Sequence, residues 1–248
     1  MTAGATQPEA RLSLVGGDGP DLVMIHGFGS DRLSWAATAH AFFATRRVWA
    51  IDLPGHGEAP AEVADGRPET LAAAVAGAVA SLDHPVAVAG HSLGGAVALH
   101  LARLLPGAVS ALALIAPAGL GQRLDPGFLD AFPEIDSDAA AEVLLKRLVV
   151  REKLIQPAMA RHVVAGLDRP GRREALRRVG AALKAVETPP LPEGVPLRVV
   201  WGDADAINPH DPARVPAERL TLLPGAGHMP QMEQASRVNK AIAEALAS

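Results

Sequence analysis

The sequence predicts an α/β domain in which a mostly parallel sheet is covered by helices and a helical segment is inserted late in the chain. Three observations predict it. Short apolar runs closed by turn residues recur along the 248 residues, helix-prone stretches lie between several of them, and the alternation breaks only over residues 119–190.

The apolar runs cover residues 21–26, 48–52, 86–89, 111–116, 197–201 and 220–223, each followed closely by Gly or Pro. Continuous apolar runs bounded in this way read as strands buried on both faces. Residues 70–82 are Ala-rich and helix-prone, residues 95–105 follow the third run directly, and residues 234–247 close the chain as a further helix. In a parallel sheet the chemistry gathers at the carboxyl ends of the strands. The loops after Ile25, Ile51, Ala89, Trp201 and Leu223 are therefore where a site is expected.

Residues 119–190 are helical in pattern and hold twelve Lys/Arg against ten Asp/Glu, whereas the rest of the chain has eleven against seventeen. That balance suits a separate unit lying over the active edge of a core made of residues 1–118 and 191–248. Pro189, Pro190 and Pro192 form a stiff return to the core.

Composition narrows the functional classes. Hydrophobic residues are 49% and charged residues 20%, ordinary for a globular protein that buries one large core. Aromatics are 3% and net charge is -4, so neither base-stacking rings nor surplus cations favour a nucleic-acid partner. The absence of Cys excludes disulfides, thiolate zinc sites and a Cys nucleophile. No metal and no cofactor is expected; His26 has no second ligand at metal-site spacing. Residues 84–102 lack charge, but Pro85 and the Gly94-Gly95 pair make them a strand, turn and helix rather than a membrane span. Residues 1–20 carry no leader pattern, so a cytoplasmic location with no membrane partner is expected, with oligomeric state left open.

Gly90-His91-Ser92-Leu93-Gly94 is the strongest chemical signal. A strand-to-helix turn this sharp needs positions without bulk two before and two after the serine, and it lifts the hydroxyl above the sheet. A serine is a weak nucleophile until a base takes its proton, and histidine suits that task near neutral pH. Among nine histidines, His228 stands just past the last apolar run, whereas His40, His84, His100, His162 and His210 read as solvated or helix-surface residues. A third group must hold the imidazole tautomer. Asp203 or Asp205 could serve; Asp205 is preferred as lying further into its loop, and Asp203 is expected to bond loop amides. The oxyanion donors are expected to be the backbone N–H groups of Leu93 and Phe28, the latter aimed inward by Gly27 and Gly29. His26 and the Asp52-Leu-Pro-Gly-His56-Gly57 cluster are expected to be architectural.

With His26-Gly-Phe-Gly-Ser30, Asp52-Leu-Pro-Gly-His-Gly57, Gly90-His-Ser-Leu-Gly-Gly95, Trp201-Gly-Asp-Ala-Asp205 and Gly225-Ala-Gly-His228, the chain resembles the α/β-hydrolase superfamily over nearly its whole length. The resemblance implies Ser92 as nucleophile, Asp205 as acid, His228 as base, Phe28 and Leu93 as the oxyanion hole, and residues 119–190 as a helical lid. Leu99-His-Leu-Ala-Arg103, Ile115-Ala-Pro-Ala-Gly-Leu-Gly121 and Gly225-Ala-Gly-His-Met-Pro-Gln-Met-Glu233 are more narrowly similar to the hydrolase-like domain of acetoin dehydrogenase acyltransferase subunits. Those subunits carry a lipoyl domain ahead of this fold. Here the hydrolase-like region opens within about the first 20 residues and no lysine precedes Lys146, so no lipoyl domain and a water acceptor are expected. A second departure is Gly57-Glu58-Ala59, which lacks the usual serine.

The expected function is cleavage of a small acyl ester or thioester through an acyl-Ser92 intermediate, with a small-molecule acyl substrate as the partner. Carbon–carbon bond hydrolysis of diketone-like substrates and acyl transfer to a thiol use the same residues and remain alternatives. An aspartate nucleophile, as in dehalogenases and epoxide hydrolases of this fold, is excluded by Ser92.

Overall fold

The computed structural model describes residues 8–83, 85–187 and 190–247; residues 1–7, His84, Thr188, Pro189 and Ser248 lie outside them. The strands are β1 (Arg11–Gly16), β2 (Asp21–Ile25), β3 (Arg47–Asp52), β4 (Val86–His91), β5 (Val109–Ile115), β6 (Leu197–Gly202) and β7 (Leu220–Leu223). They form one sheet in the order β1-β3-β2-β4-β5-β6-β7, parallel except where β1 pairs with β3.

The six apolar runs became β2 to β7. β2 and β4 are buried at every position, as strands covered on both faces must be. β7 departs from that expectation. It is an edge strand in which only Leu223 is buried and Leu222 is 43% exposed. β1 has no continuous apolar run and is exposed or half-buried throughout; its ladder to β3 holds it at the other edge.

The helices are α1 (Ala36–Ala39), α2 (Pro68–Val79), α3 (Leu93–Leu104), α4 (Pro126–Ala131), α5 (Asp138–Lys146), α6 (Pro157–Leu167), α7 (Arg172–Leu183), α8 (Pro230–Glu233) and α9 (Ala235–Ala247). α2 opens on Pro68 with Glu69 in its first turn, both suited to a helix N-terminus. The pleat sends alternate residues to opposite faces. Val23 and Ile25 of β2 pack with α2 and α3 residues such as Leu71 and Leu101. Leu22 and Met24 pack on the other side with Trp35 and the α9 residues Val238 and Ile242.

Helices α4 to α7 make up the segment in which the alternation lapses. They pack against the loops that follow β3 and β7: Arg172 of α7 donates to the carbonyls of Gly57 and Ala59, and the Met229 amide donates to the Leu148 carbonyl at 3.1 Å. Among the described residues no helix is long and apolar enough to cross a membrane.

Candidate active site

β4 runs straight into Ser92, whose backbone sits at φ 51° and ψ -113°, a conformation costly for any residue with a Cβ. Main-chain bonds hold it there. The Ser92 amide donates to Ile115 at 2.9 Å, and its carbonyl accepts from Gly95 at 3.0 Å and from Ala118 at 2.9 Å. The flanking glycines permit the turn because there is no room for a side chain. A Cβ on Gly90 would fall 2.4 Å from the Gly94 carbonyl oxygen, and one on Gly94 would fall 2.2 Å from that of Ile25.

The loop between β7 and α8 brings His228 over this turn. Its Nε2 lies 3.0 Å from Ser92 Oγ and its Nδ1 lies 2.8 Å from Asp205 Oδ2. A carboxylate only accepts, so Nδ1 carries the proton and Nε2 is left to accept from the serine hydroxyl. All three side chains are buried. Asp205 is fixed by more than the histidine: its Oδ1 accepts from the amides of Ile207 at 2.9 Å and Asn208 at 2.8 Å, and its Oδ2 also accepts from Trp201 Nε1 at 3.2 Å. Asp203 is exposed and accepts from the Gly225 amide at 2.7 Å; it does not reach His228.

The main chain around His228 is held from three sides. Glu233, buried in α8, accepts from the Gly227 amide at 2.6 Å and from the amides of Val150 and Arg151 at 2.9 Å each. His91 Nε2 donates to the His228 carbonyl at 2.8 Å, and the third tie is the Met229–Leu148 bond. Burial, and secondarily the neighbouring His228, hold the His91 pKa down at about 3, so its ring is neutral and its Nε2–H remains a donor.

The β2 loop approaches from the opposite side. A Cβ on Gly27 would stand 3.2 Å from that of Ser92, so this main chain lies against the serine. Among the described residues the amides of Phe28 and Leu93 donate to no other protein group, and Leu93 is the first residue of α3, where the N–H groups have no intrahelical partner. His26 donates from Nδ1 to the Gly27 carbonyl at 2.8 Å and accepts at Nε2 from the Leu53 amide at 3.0 Å, and burial lowers its pKa. Asp52 accepts from the amides of Arg32 and Glu58 and pairs with the Arg32 guanidinium, tying the β2 and β3 loops together.

Ser92 and His228 open on a cavity of about 620 Å³. Its walls are mainly apolar, with Phe28 from the β2 loop facing Phe128, Phe132, Leu145 and Leu176 from helices α4 to α7 and their connections. His162, one of the residues expected to be solvated or on a helix surface, is exposed on its helix and also borders the cavity. It lies in α6, bonded to the carboxylate of Asp31 in the β2 loop. Among the described residues no group of three or more His, Asp or Glu is placed to hold a metal ion. Sequence reasoning missed Trp201, Asn208, His91 and Glu233 as supports. Trp201 and Asn208 lie within four residues of Asp205, whereas His91 and Glu233 act through contacts between distant segments, where only the adjacency of His91 to Ser92 offers a signal.

The family model described as "Alpha/beta hydrolase family" matches residues 22–241. The dihydrolipoyllysine-residue acetyltransferase component of the acetoin cleaving system of Pseudomonas putida is 37% identical over 236 residues. The match covers 92% of this chain and 64% of that protein, so the chain spans less than two thirds of that relative's length. A pimeloyl–acyl-carrier protein methyl ester esterase of Neisseria meningitidis serogroup B is 32% identical over 241 residues, covering 87% of this chain and 90% of the esterase. Among solved structures, a thermophilic esterase from Thermogutta terrifontis aligns with a TM-score of 0.75 at 26% identity, over 99% of this chain and 96% of that one. The match to the family model takes in nearly all of the sheet and every segment of the site, and the chain belongs to the alpha/beta hydrolase family.

Proposed function

We propose that this chain hydrolyses small acyl esters or thioesters through an acyl-Ser92 intermediate, with residues 119–190 serving as a lid. The reading rests on one observation: the hydrogen-bonded chain from Asp205 through His228 to Ser92 Oγ, at a strained turn facing an apolar cavity.

Ser92 Oγ attacks the acyl carbonyl as its proton passes to His228 Nε2. Asp205 keeps the Nδ1 proton in place and stabilises the imidazolium that forms. The amides of Phe28 and Leu93 donate to the oxyanion. The carbon–oxygen or carbon–sulfur bond then breaks, and His228 returns its proton to the departing alcohol or thiol. Water enters, gives a proton to the same nitrogen and releases the acid, regenerating Ser92. The esterase likenesses support an ester substrate, and the acetoin-system likeness supports a thioester.

Rapid mixing with a chromogenic short-chain acyl ester tests the proposal. A burst equal to the enzyme concentration is expected, with an acyl mass increment on Ser92. Ser92→Ala should abolish the burst and lower kcat by on the order of 10⁴ or more while leaving the circular dichroism unchanged. Turnover by that variant at anything near the parent rate would overturn the assignment.

A further inference from the structure

Asn208 stands in the same loop as Asp205 and is 1% exposed. Its main chain braces the acid. The amide donates to Asp205 Oδ1 at 2.8 Å, and the carbonyl accepts from Trp201 Nε1 at 2.8 Å. Its side chain points away from that loop. Nδ2 donates to the carbonyls of Ala116 at 3.0 Å and Pro117 at 3.1 Å, just past the end of β5. Carbonyls only accept, so it is the amide nitrogen that must face them.

Those two carbonyls belong to the segment that holds the nucleophile. The Ser92 amide donates to Ile115 and the Ser92 carbonyl accepts from Ala118, each at 2.9 Å. Asn208 therefore joins the acid to the turn of Ser92 through one buried residue. The segment it grips is strained. Ala116 has φ 42°, a region that glycine enters freely and a residue with a Cβ does not. The Ala116 amide is fixed by the Val200 carbonyl at 2.9 Å, and its carbonyl by Asn208. The far side of the Asn208 amide is closely packed. Oδ1 is buried with no partner among the described residues, and a Cβ on Gly121 would fall 2.1 Å from it. That unpaired acceptor opposes folding, whereas the two bonds from Nδ2 hold the strained turn.

We propose that Asn208 is a positioning residue of the triad: its side chain holds the Ala116–Pro117 turn and so sets the place of Ser92 relative to Asp205 and His228. The inference rests on the triad reading above. Asn208 is not among the residues that line the acyl cavity, so its loss slows acylation without weakening acyl binding.

Asn208→Leu keeps both main-chain bonds and removes the side-chain donors. The rate of the acyl-ester burst should fall by on the order of ten- to a hundredfold, the scale of a displacement of about 1 Å at the reacting groups. Binding of the free acid product, measured by calorimetry, should be unchanged. Ala116→Gly added to Asn208→Leu should restore part of the lost rate, because glycine adopts φ 42° without strain. A second reading needs no turnover. The proton NMR resonance of His228 Nδ1–H, identified by its loss in His228→Gln, should shift in Asn208→Leu. A parent chain that gives no acyl-Ser92 burst would refute the hydrolase reading, and the proton resonance would still test the bridge. Asn208→Asp, which keeps the volume and gives up at least one donor, carries the same readings where the leucine variant does not fold. A folded variant with the parent's burst rate and an unmoved resonance overturns the proposal. So does a loss of rate that Ala116→Gly does not relieve and that is matched by an equal loss of acid binding, which would leave Asn208 as a packing residue alone.

Discussion

Ser92 and Asp205 illustrate how much of this site is decided within single residues. Ser92 carries a positive φ because β4 and α3 leave no other path, and the same constraint presents its hydroxyl to His228. Asp205 and Asp203 are two positions apart and identical in chemistry, yet one is buried with four donors and the other is exposed with one. Asp205→Asn should therefore lower kcat by roughly 10³- to 10⁴-fold, because an amide in that place can hold the imidazole in the wrong tautomer. Asp203→Asn should stay within a few-fold of the parent. Steady-state kinetics on the two variants checks this, and the reverse ranking would mean that the loop after β6 acts through the other acid.

Among the elements, α8 does more than its four residues suggest. Glu233 at its end joins the loop of His228 to the turn at Val150 and Arg151, and thereby ties the inserted helices to the base. Glu233→Ala would leave three amides without their acceptor, that of Gly227 in a buried contact and those of Val150 and Arg151 in part-buried ones. A buried unsatisfied group costs about 1–3 kcal/mol and a part-buried one less, so a loss of about 2 kcal/mol is expected. For a domain of this size that lowers Tm by roughly 4–8 °C. Scanning calorimetry measures it, and a Tm within a degree of the parent would show that the clamp contributes nothing to stability.

Across the whole molecule, burial of neutral histidines sets the response to acid. His26, His56 and His91 are buried with pKa values lowered by desolvation, that of His91 to about 3. In the unfolded chain a histidine binds a proton below about pH 6.5, whereas folded His91 stays neutral until about pH 3. Between those values the unfolded state holds more protons. Stability contributed by the neutral ring is therefore present above pH 6.5 and lost as pH falls toward 3. The loss approaches about 1.4 kcal/mol per pH unit for each such histidine. Thermal unfolding from pH 7 down to pH 4 should show Tm falling steadily, and less steeply in His91→Asn. Identical slopes in the two proteins would show that His91 is not the group responsible.

Most of the sheet, and the placing of the chemistry along it, can be read from the chain alone. Six apolar runs closed by Gly or Pro read as strands, and residues such as Gly90 and Gly94 announce a turn with no room for side chains. These are local signals, written in periodicity and in residue size. β1 gives no signal because it has no apolar run and forms only by pairing with β3, and β7 reads as a buried strand because its neighbours, not its composition, make it an edge. Only the tertiary structure shows that Glu233 and His91 hold the base from either side, that His162 meets Asp31 at the cavity wall, and that Arg172 is buried without a counter-ion among the described residues. Each of these joins segments tens of residues apart or more, or turns on how a loop folds back. Such contacts depend on packing in three dimensions, which residue spacing along a chain does not encode.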